Sequence, residues 1–407
     1  MSTDSIRVPR DPALPRMSEV LDPEVMAEVL ERSLDKGAGR PDVRVRHLRY
    51  RPGTNLVVHY DVRIDARPHQ ATAMVARYDL GRRACKPPNL ALADLVDGRS
   101  PAIRPLFYEP AFGALVQWLP LDLSMPGLVE PPSRLRRRLR DAGVPIASTG
   151  PEPTRLAYRP RRHAVLRVDD RILKAYAGEQ RYRAAEARLR AVCGRLGVPT
   201  AAFEAALPDL RVTVQSFLPC GDPGSARALA RTAGIALRAL HGSPVVGLDR
   251  FPPARQQAAA ATSGQLVKAI APHLGGRVDA LVQRVGRTMP ERLPPVPSHG
   301  DFHVAQLRCG DGGLALIDLD EITLAPPALD LGTYAAHELC GDEGDLAAAR
   351  AILEELVEGY GSRPEGLDWY FSTLILRRAS HPFRRFRPDW PGRVEAMVTA
   401  AESALER

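Results

Sequence analysis

The chain has 407 residues, 44% of them hydrophobic and 26% charged, a length roughly two to three times that of an ordinary domain and a composition that excludes disorder throughout. Its 56 basic residues outnumber 48 acidic ones for a formal charge of +8, and only four are lysine (Lys36, Lys86, Lys174, Lys268), a bias that reads as a coding habit and a balance that suits either anionic partners or solubility. Five scattered cysteines (Cys85, Cys193, Cys220, Cys309, Cys340) without a C-x-x-C pair exclude a disulfide framework and a thiolate zinc site, and are expected to be buried small hydrophobes.

No run of 18 apolar residues occurs and the start lacks the apolar core of a secretory leader, so a cytoplasmic protein with no membrane partner is expected. The first 20 residues, rich in Pro, Arg and Asp, predict an extended arm. A helix follows, with Asp22 as N-cap and Pro23 at its first position. Residues 43–64 and 72–78 alternate as strands, joined at Pro52-Gly53-Thr54-Asn55 by a hairpin turn.

A related hairpin is expected 108 positions later. Tyr50-Arg51-Pro52 recurs as Tyr158-Arg159-Pro160, Val57 as Val165, Asp61 as Asp169, and Arg63-Ile64 as Arg171-Ile172. Each copy runs on to an apolar strand and a proline, at Leu119-Pro120 and at Leu218-Pro219, which implies two similar α/β units in tandem. Between them the arginine run from Ser133 to Arg140 predicts a solvated connecting helix; no aromatic is interleaved with it, so no nucleic-acid partner is expected. From residue 225 onward the pattern is helical over 225–241, 255–273, 276–288, 344–360, 366–380 and 391–405.

The helical half is interrupted at 296–322. There Ser298-His299-Gly300-Asp301-Phe302-His303-Val304-Ala305-Gln306 is followed by the turn Gly310-Asp311-Gly312-Gly313 and by Leu314-Ala315-Leu316-Ile317-Asp318. A turn between two short apolar runs predicts a hairpin that brings Asp301 and Gln306 near Asp318. A carboxylate that orients a hydroxyl, oxygen ligands for magnesium and cations for phosphates are the groups that phosphoryl transfer requires.

These residues resemble the aminoglycoside phosphotransferase and choline kinase superfamily, whose signature is H-G-D-x-x-x-x-N followed by I-D. The chain has His299-Gly300-Asp301 with Gln306 at the Asn position, then Ile317-Asp318, a P-x-x-D-L element at Pro327-Ala328-Leu329-Asp330-Leu331, and the preceding Leu240-His241 pair. The resemblance implies an α+β, protein-kinase-like two-lobed fold with a small β-rich N-lobe, a mostly helical C-lobe and an added N-terminal α/β cap. It divides the chain into a cap over 1–145, an N-lobe over 146–222 and a C-lobe over 223–407. It also implies an ATP- and Mg-dependent kinase acting on a small-molecule hydroxyl, with Asp301 as catalytic base and with Asp318 and Gln306 on the metal. Gln keeps the amide oxygen of Asn one methylene further out. H-G-D-x-H-x-x-Q is similar to the maltokinase and glucosamine-kinase branch, so a sugar or amino sugar is the leading acceptor.

By the same resemblance Lys174, on a strand twelve positions before Glu186, would hold the α- and β-phosphates with Glu186 fixing it. Arg161 and Arg162 at the hairpin tip would replace the missing glycine-rich phosphate cover, or be surface residues. Ser216 and Leu218 fall at the inter-lobe hinge, where backbone groups would meet adenine. His303 is either a phosphate or substrate contact or a loop-packing residue. Met74-Val75-Ala76 in the first copy has no lysine, so the cap is read as a unit without nucleotide chemistry. A zinc site on His299 and His303 is disfavoured, because Gly300 opposes a helix and no third ligand is evident.

Seven acids between Glu338 and Glu358 (with Asp342, Glu343, Asp345, Glu354 and Glu355) face only Arg350, which leaves open an aminoglycoside as alternative acceptor or a solvated helix face. The stretch from Arg377-Arg378 to Arg387, with Phe383, Phe386 and Trp390, is read as packing of the C-terminal helices. A catalytically silent nucleotide-binding regulator is the alternative from another class.

Overall fold

A computed structural model describes residues 7–78, 80–81, 86–96, 98–219, 221, 224–310, 313–341 and 344–406. Cys85, Cys220, the turn residues Asp311 and Gly312, and the acids Asp342 and Glu343 lie outside the described residues. The chain forms two compact units. One comprises Met1–Tyr182, Glu204–Gln215 and Phe383–Pro388; the other comprises Arg183–Phe203, Ser216–Pro382 and Asp389–Arg407.

The first unit holds two five-stranded sheets. Strands β1 (Asp42–Arg51), β2 (Asn55–Ile64), β3 (Arg67–Ala76), β4 (Leu106–Glu109) and β5 (Ala114–Trp118) run in the order β1-β2-β3-β5-β4. Strands β6 (Thr154–Arg159), β7 (His163–Val168), β8 (Arg171–Tyr176), β9 (Phe203–Leu207) and β10 (Val212–Ser216) repeat it as β6-β7-β8-β10-β9. Edge strand β1 alternates, with Val43, Leu48 and Tyr50 inward and arginines outward, whereas Leu56–Tyr60 of the interior strand β2 is buried on both faces. Gly53 turns the first hairpin at φ 67°, a backbone angle that a residue without Cβ adopts freely.

The segment after the first sheet covers the second: Met125, Leu128, Leu135, Leu139 and Val144 pack with Leu166, Leu173, Val212 and Val214 in one core. Gly127 passes so close that a Cβ there would lie 2.9 Å from the Leu210 carbonyl oxygen.

Several expectations need correction. The N-terminal arm is not extended throughout, because Leu14 and Met17 are buried and Met17–Leu21 is helical. Strand β3 starts at Arg67, earlier than residue 72, because its outer half carries the polar residues Arg67, His69 and Gln70 that mask its period. The arginine run is the helix Pro132–Asp141, yet it is not merely solvated: Arg136 is buried and donates to both carboxylate oxygens of Asp169 at 2.8 and 2.9 Å and to the Pro151 carbonyl at 2.9 Å. Cys193 is exposed and Cys309 half-buried, so of the described cysteines only Cys340 is a core residue.

The second unit is mainly helical, with Ala226–His241, Pro253–Ile270, Gly275–Arg287, Ala328–Glu338, Leu346–Tyr360, Leu367–Arg378 and Trp390–Ala404. Ala226–His241 meets Leu346–Tyr360 backbone to backbone, since a Cβ on Gly359 would lie 1.9 Å from the Arg231 carbonyl oxygen. The helix Ala328–Glu338 was absent from the periodicity reading because Ala328–Ala336 is buried on every side, which removes the polar stripe that marks a surface helix. Two short antiparallel pairs complete the unit: β11 (Val296–Ser298) with β14 (Thr323–Ala325), and β12 (Leu307–Gly310) with β13 (Gly313–Leu316).

Candidate active site

Strand β11 ends at Ser298, and the chain enters the H-G-D segment there. Asp330, fully buried near the start of its helix, accepts the backbone N–H of His299 at 2.6 Å and of Gly300 at 2.9 Å. Its Oδ2 also lies 3.1 Å from His241 Nε2, whose other ring nitrogen is 3.0 Å from the Tyr360 hydroxyl. One carboxylate thus joins three sequence motifs that are up to 89 residues apart. His299 Nε2 sits 2.9 Å from the Ile317 carbonyl oxygen, which ties the segment to the end of β13. Gly300 has φ 83°, and a Cβ on it would lie 2.4 Å from the Glu321 carbonyl oxygen.

This anchoring presents Asp301, whose side chain is about half exposed (51%). Its Oδ1 is 3.4 Å from Arg378 Nη2 and its Oδ2 is 3.9 Å from His303 Nε2. The β12–β13 hairpin forms as expected, and Ile317 N–H donates to the Gln306 carbonyl at 3.0 Å. Asp318 follows in the left-handed region, φ 64° and ψ 50°, a conformation uncommon for a residue with a Cβ. Gln306 Nε2 lies 3.3 Å from Asp318 Oδ2 and 3.2 Å from His303 Nε2.

His303 stacks on His337 with centroids 4.1 Å apart and planes 6° from parallel. Burial, opposed by the Asp301 charge, pushes its pKa down to about 4, so its ring is neutral at pH 7, with Nε2 3.2 Å from the Gln306 amide nitrogen. Of the two expectations for His303, the structure shows the loop packing, against His337, with Asp301 Oδ2 3.9 Å from Nε2.

The other motif residues lie elsewhere. Lys174, 6% exposed on β8, has its ammonium 5.9 Å from the centroid of the Tyr176 ring. Glu186 lies on the helix Glu179–Val192 and accepts from Arg190 Nε at 3.0 Å and Nη2 at 2.9 Å. Arg161 and Arg162 are exposed at the β6–β7 tip, Arg161 at φ 55°. Ser216 donates its N–H to Ala202 O at 2.9 Å, and its hydroxyl accepts from Ala202 N at 2.9 Å. Leu218, half-buried in the irregular segment after β10, has no hydrogen-bond partner among the described residues.

The sequence profile of the phosphotransferase enzyme family matches residues 156–370, more than half of the 407. This chain belongs to that family. The phosphotransferase is similar to several solved structures. One is a choline/ethanolamine kinase family protein from Mesorhizobium loti, 16% identical over 67% of this chain and 94% of that one, with a TM-score of 0.46. Another is a macrolide 2'-phosphotransferase from Brachybacterium faecium, 20% identical over 68% and 97%, with a TM-score of 0.43. A third is a choline kinase from Streptococcus pneumoniae, 12% identical over 66% and 98%, with a TM-score of 0.47. No curated protein matches in sequence.

As a phosphotransferase with an α+β, kinase-like fold, the enzyme calls for a magnesium nucleotide, and the residues present fit one. The Gln306 amide and the Asp318 carboxylate, which carry the oxygen donors that magnesium takes, adjoin each other, with the amide nitrogen 3.3 Å from Asp318 Oδ2. The amide would turn its oxygen toward the ion. Among the described residues no group of three His, Cys, Asp or Glu side chains forms a metal site. No described helix is long and apolar enough to cross a membrane.

Sequence reasoning missed Arg378 in this phosphotransferase. It lies in the stretch assigned to helix packing, and its neighbour Arg377 does pack, donating to Gln256 Oε1 at 2.7 Å. Arg378 instead reaches Asp301. A helix period cannot distinguish two adjacent arginines whose partners are 121 and 77 residues away.

Proposed function

We propose that this phosphotransferase moves the γ-phosphoryl group of ATP, with magnesium, to a hydroxyl of a sugar or amino sugar. The observation that carries the reading is the Asp330-anchored loop, which presents Asp301 next to His303, whose ring in turn meets Gln306 of the Gln306–Asp318 pair.

Asp301 orients the acceptor hydroxyl and takes its proton, with Arg378 holding Oδ1 and leaving Oδ2 for the substrate. Asp318 and Gln306 would hold the magnesium, which when bound neutralises charge on the β- and γ-phosphate oxygens. Lys174 binds the α- and β-phosphates, and Arg161 and Arg162 add cations at the hairpin tip; Glu186, which accepts from Arg190, would have to leave that partner to position Lys174. The Leu218 backbone, without a hydrogen-bond partner among the described residues, is suited to adenine beside Ser216. His303 stays neutral and shapes the floor under Asp301.

A neutral or singly charged acceptor is favoured over a polycationic aminoglycoside because three of the five described acids of the 338–358 stretch are engaged. Asp345 caps its helix by accepting from Ala348 N at 2.7 Å, Glu354 pairs with Arg363 at 2.9 Å, and Glu358 lies 3.4 Å from Arg231. The repeated strand order, with no lysine at Met74-Val75-Ala76, supports reading 1–145 as a cap, 146–222 as the nucleotide-binding lobe and 223–407 as the catalytic lobe.

The test is magnesium-dependent ADP formation against sugars, amino sugars, aminoglycosides and choline, with Asp301→Asn alongside wild type. A sugar or amino-sugar hit that falls about 10²- to 10⁴-fold in the variant, with nucleotide affinity kept, is expected. Turnover on aminoglycosides alone would reject the acceptor class, and unchanged turnover in Asp301→Asn would reject the base. Asp318→Ala should weaken magnesium-nucleotide binding.

A further inference from the structure

The first compact unit carries a group of arginines that no acid among the described residues answers. Arg49 and Arg51, two positions apart on β1, project from one face of the sheet. Arg49 pairs with Val57 of β2, and Val57 with Met74 of β3, so the three share a row and a face, Arg49 roughly 10 Å from Met74 across two strand spacings. The β6–β7 tip comes down onto that row, with Arg161 Nη1 3.3 Å from Met74 Sδ. Segment Phe383–Pro388 flanks the same edge strand: the Phe383 ring meets the Tyr50 ring edge-on at 6.2 Å, and Arg384, next to it, lies within electrostatic range of Arg162.

Burial, with repulsion from Arg51, Arg162, Arg161 and Arg181, pushes the Arg49 pKa down to about 10, and burial followed by Arg162 lowers that of Arg384. Arg49, Arg51, Arg162 and Arg384 have no hydrogen bond or ion pair to a carboxylate among the described residues. Desolvated like charges oppose folding unless a counter-charge joins them, and guanidinium forks match phosphate oxygens in pairs.

We propose that Arg49, Arg51, Arg161, Arg162 and Arg384 form an anion site for a phosphoester or polyphosphate group. The group is either part of the nucleotide or carried by the acceptor. In the second case the enzyme phosphorylates an acceptor that already bears a phosphate, and strand β1 reads that charge. Only this choice of source rests on the phosphotransferase reading; the site itself is a matter of equilibrium binding.

The experiment is calorimetric titration of the full chain with pyrophosphate in magnesium-free buffer, together with thermal melting, for wild type, Arg49→Gln and Arg384→Gln. Pyrophosphate should bind wild type and raise its Tm, each variant should bind about 10- to 100-fold more weakly, and the free variants should melt no lower than wild type because an unanswered charge has gone. Absence of binding, or equal affinity in wild type and both variants, would overturn the site. Should Arg384→Gln fail to fold, Arg49→Gln decides alone.

Displacement of pyrophosphate by ADP assigns the site to the nucleotide; displacement by glucose 6-phosphate but by neither glucose nor ADP assigns it to a phosphorylated acceptor. Pyrophosphate that neither ADP nor glucose 6-phosphate displaces would overturn the assignment to a phosphate-bearing ligand. Asp301→Asn still reports on this site when turnover is lost, so failure of the catalytic reading and failure of the anion site are separable.

Discussion

Asp330 and His299 are joined by a 2.6 Å hydrogen bond in which a fully buried carboxylate accepts the backbone N–H that opens the His299-Gly300-Asp301 loop. Asp330→Ala would leave the N–H groups of His299 and Gly300 and the His241 ring without their acceptor, and should cost about 3–5 kcal/mol. Asp330→Asn keeps one acceptor oxygen and should cost about 1–3 kcal/mol. Urea unfolding measures both. If either variant folds, kcat should fall while nucleotide affinity changes little, because the side chain orients Asp301 and is not itself assigned to the nucleotide.

Gly300 has no room for a methyl group: its φ is 83°, and a Cβ would meet the Glu321 carbonyl oxygen at 2.4 Å. The left-handed conformation alone costs about 1–2 kcal/mol for a residue with a Cβ, and the backbone of Glu321 would also have to shift. Gly300→Ala should lower Tm and depress transfer. A variant with wild-type Tm and kcat would show that this turn is more adaptable than its geometry indicates.

Arg136 and Asp169 fasten the connecting helix to the β7–β8 turn. Arg136→Met fills similar volume but gives up the bidentate pair and the bond to Pro151 O, and should cost about 3 kcal/mol. The hydrogen bond from Arg136 holds the Asp169 carboxyl below its ordinary pKa. Its stabilisation is therefore present above the unfolded pKa near 4 and is lost as pH falls through the folded value. Unfolding free energy from pH 6 to pH 3 should fall less steeply in the variant than in wild type.

His59, 2% exposed on β2, rests edge-on against Tyr158 with ring centroids 5.0 Å apart, and burial pushes its pKa down to about 4 against the pull of Asp61. The unfolded chain takes up a proton near pH 6.5 that the folded chain refuses, so stability is full above about pH 6.5 and falls as pH drops toward 4, by about 3 kcal/mol. His59→Phe should flatten that part of the pH profile of unfolding. An unchanged slope between pH 6.5 and 4.5 would show that other groups carry it.

The sequence by itself determined the class of chemistry. His299-Gly300-Asp301, Gln306, Asp318 and the Pro327–Leu331 element are read without coordinates because phosphoryl transfer needs particular side chains at spacings set by one loop and one hairpin, which are local in the chain. The two sheets were legible for the same reason: turn residues and two-residue alternation act over short distances, and the repeat from Tyr50 to Tyr158 reappears as one strand order used twice. Tertiary structure decided what depends on partners far along the chain. Arg378 reaches Asp301 across 77 residues, and Arg136 is buried by an acid 33 residues away. His303 is made neutral by burial, and the helix Ala328–Glu338, buried on every side, has no amphipathic stripe to announce it. The basic cluster beside β1 joins three segments far apart in the chain, because charge neighbours in space leave no period in sequence.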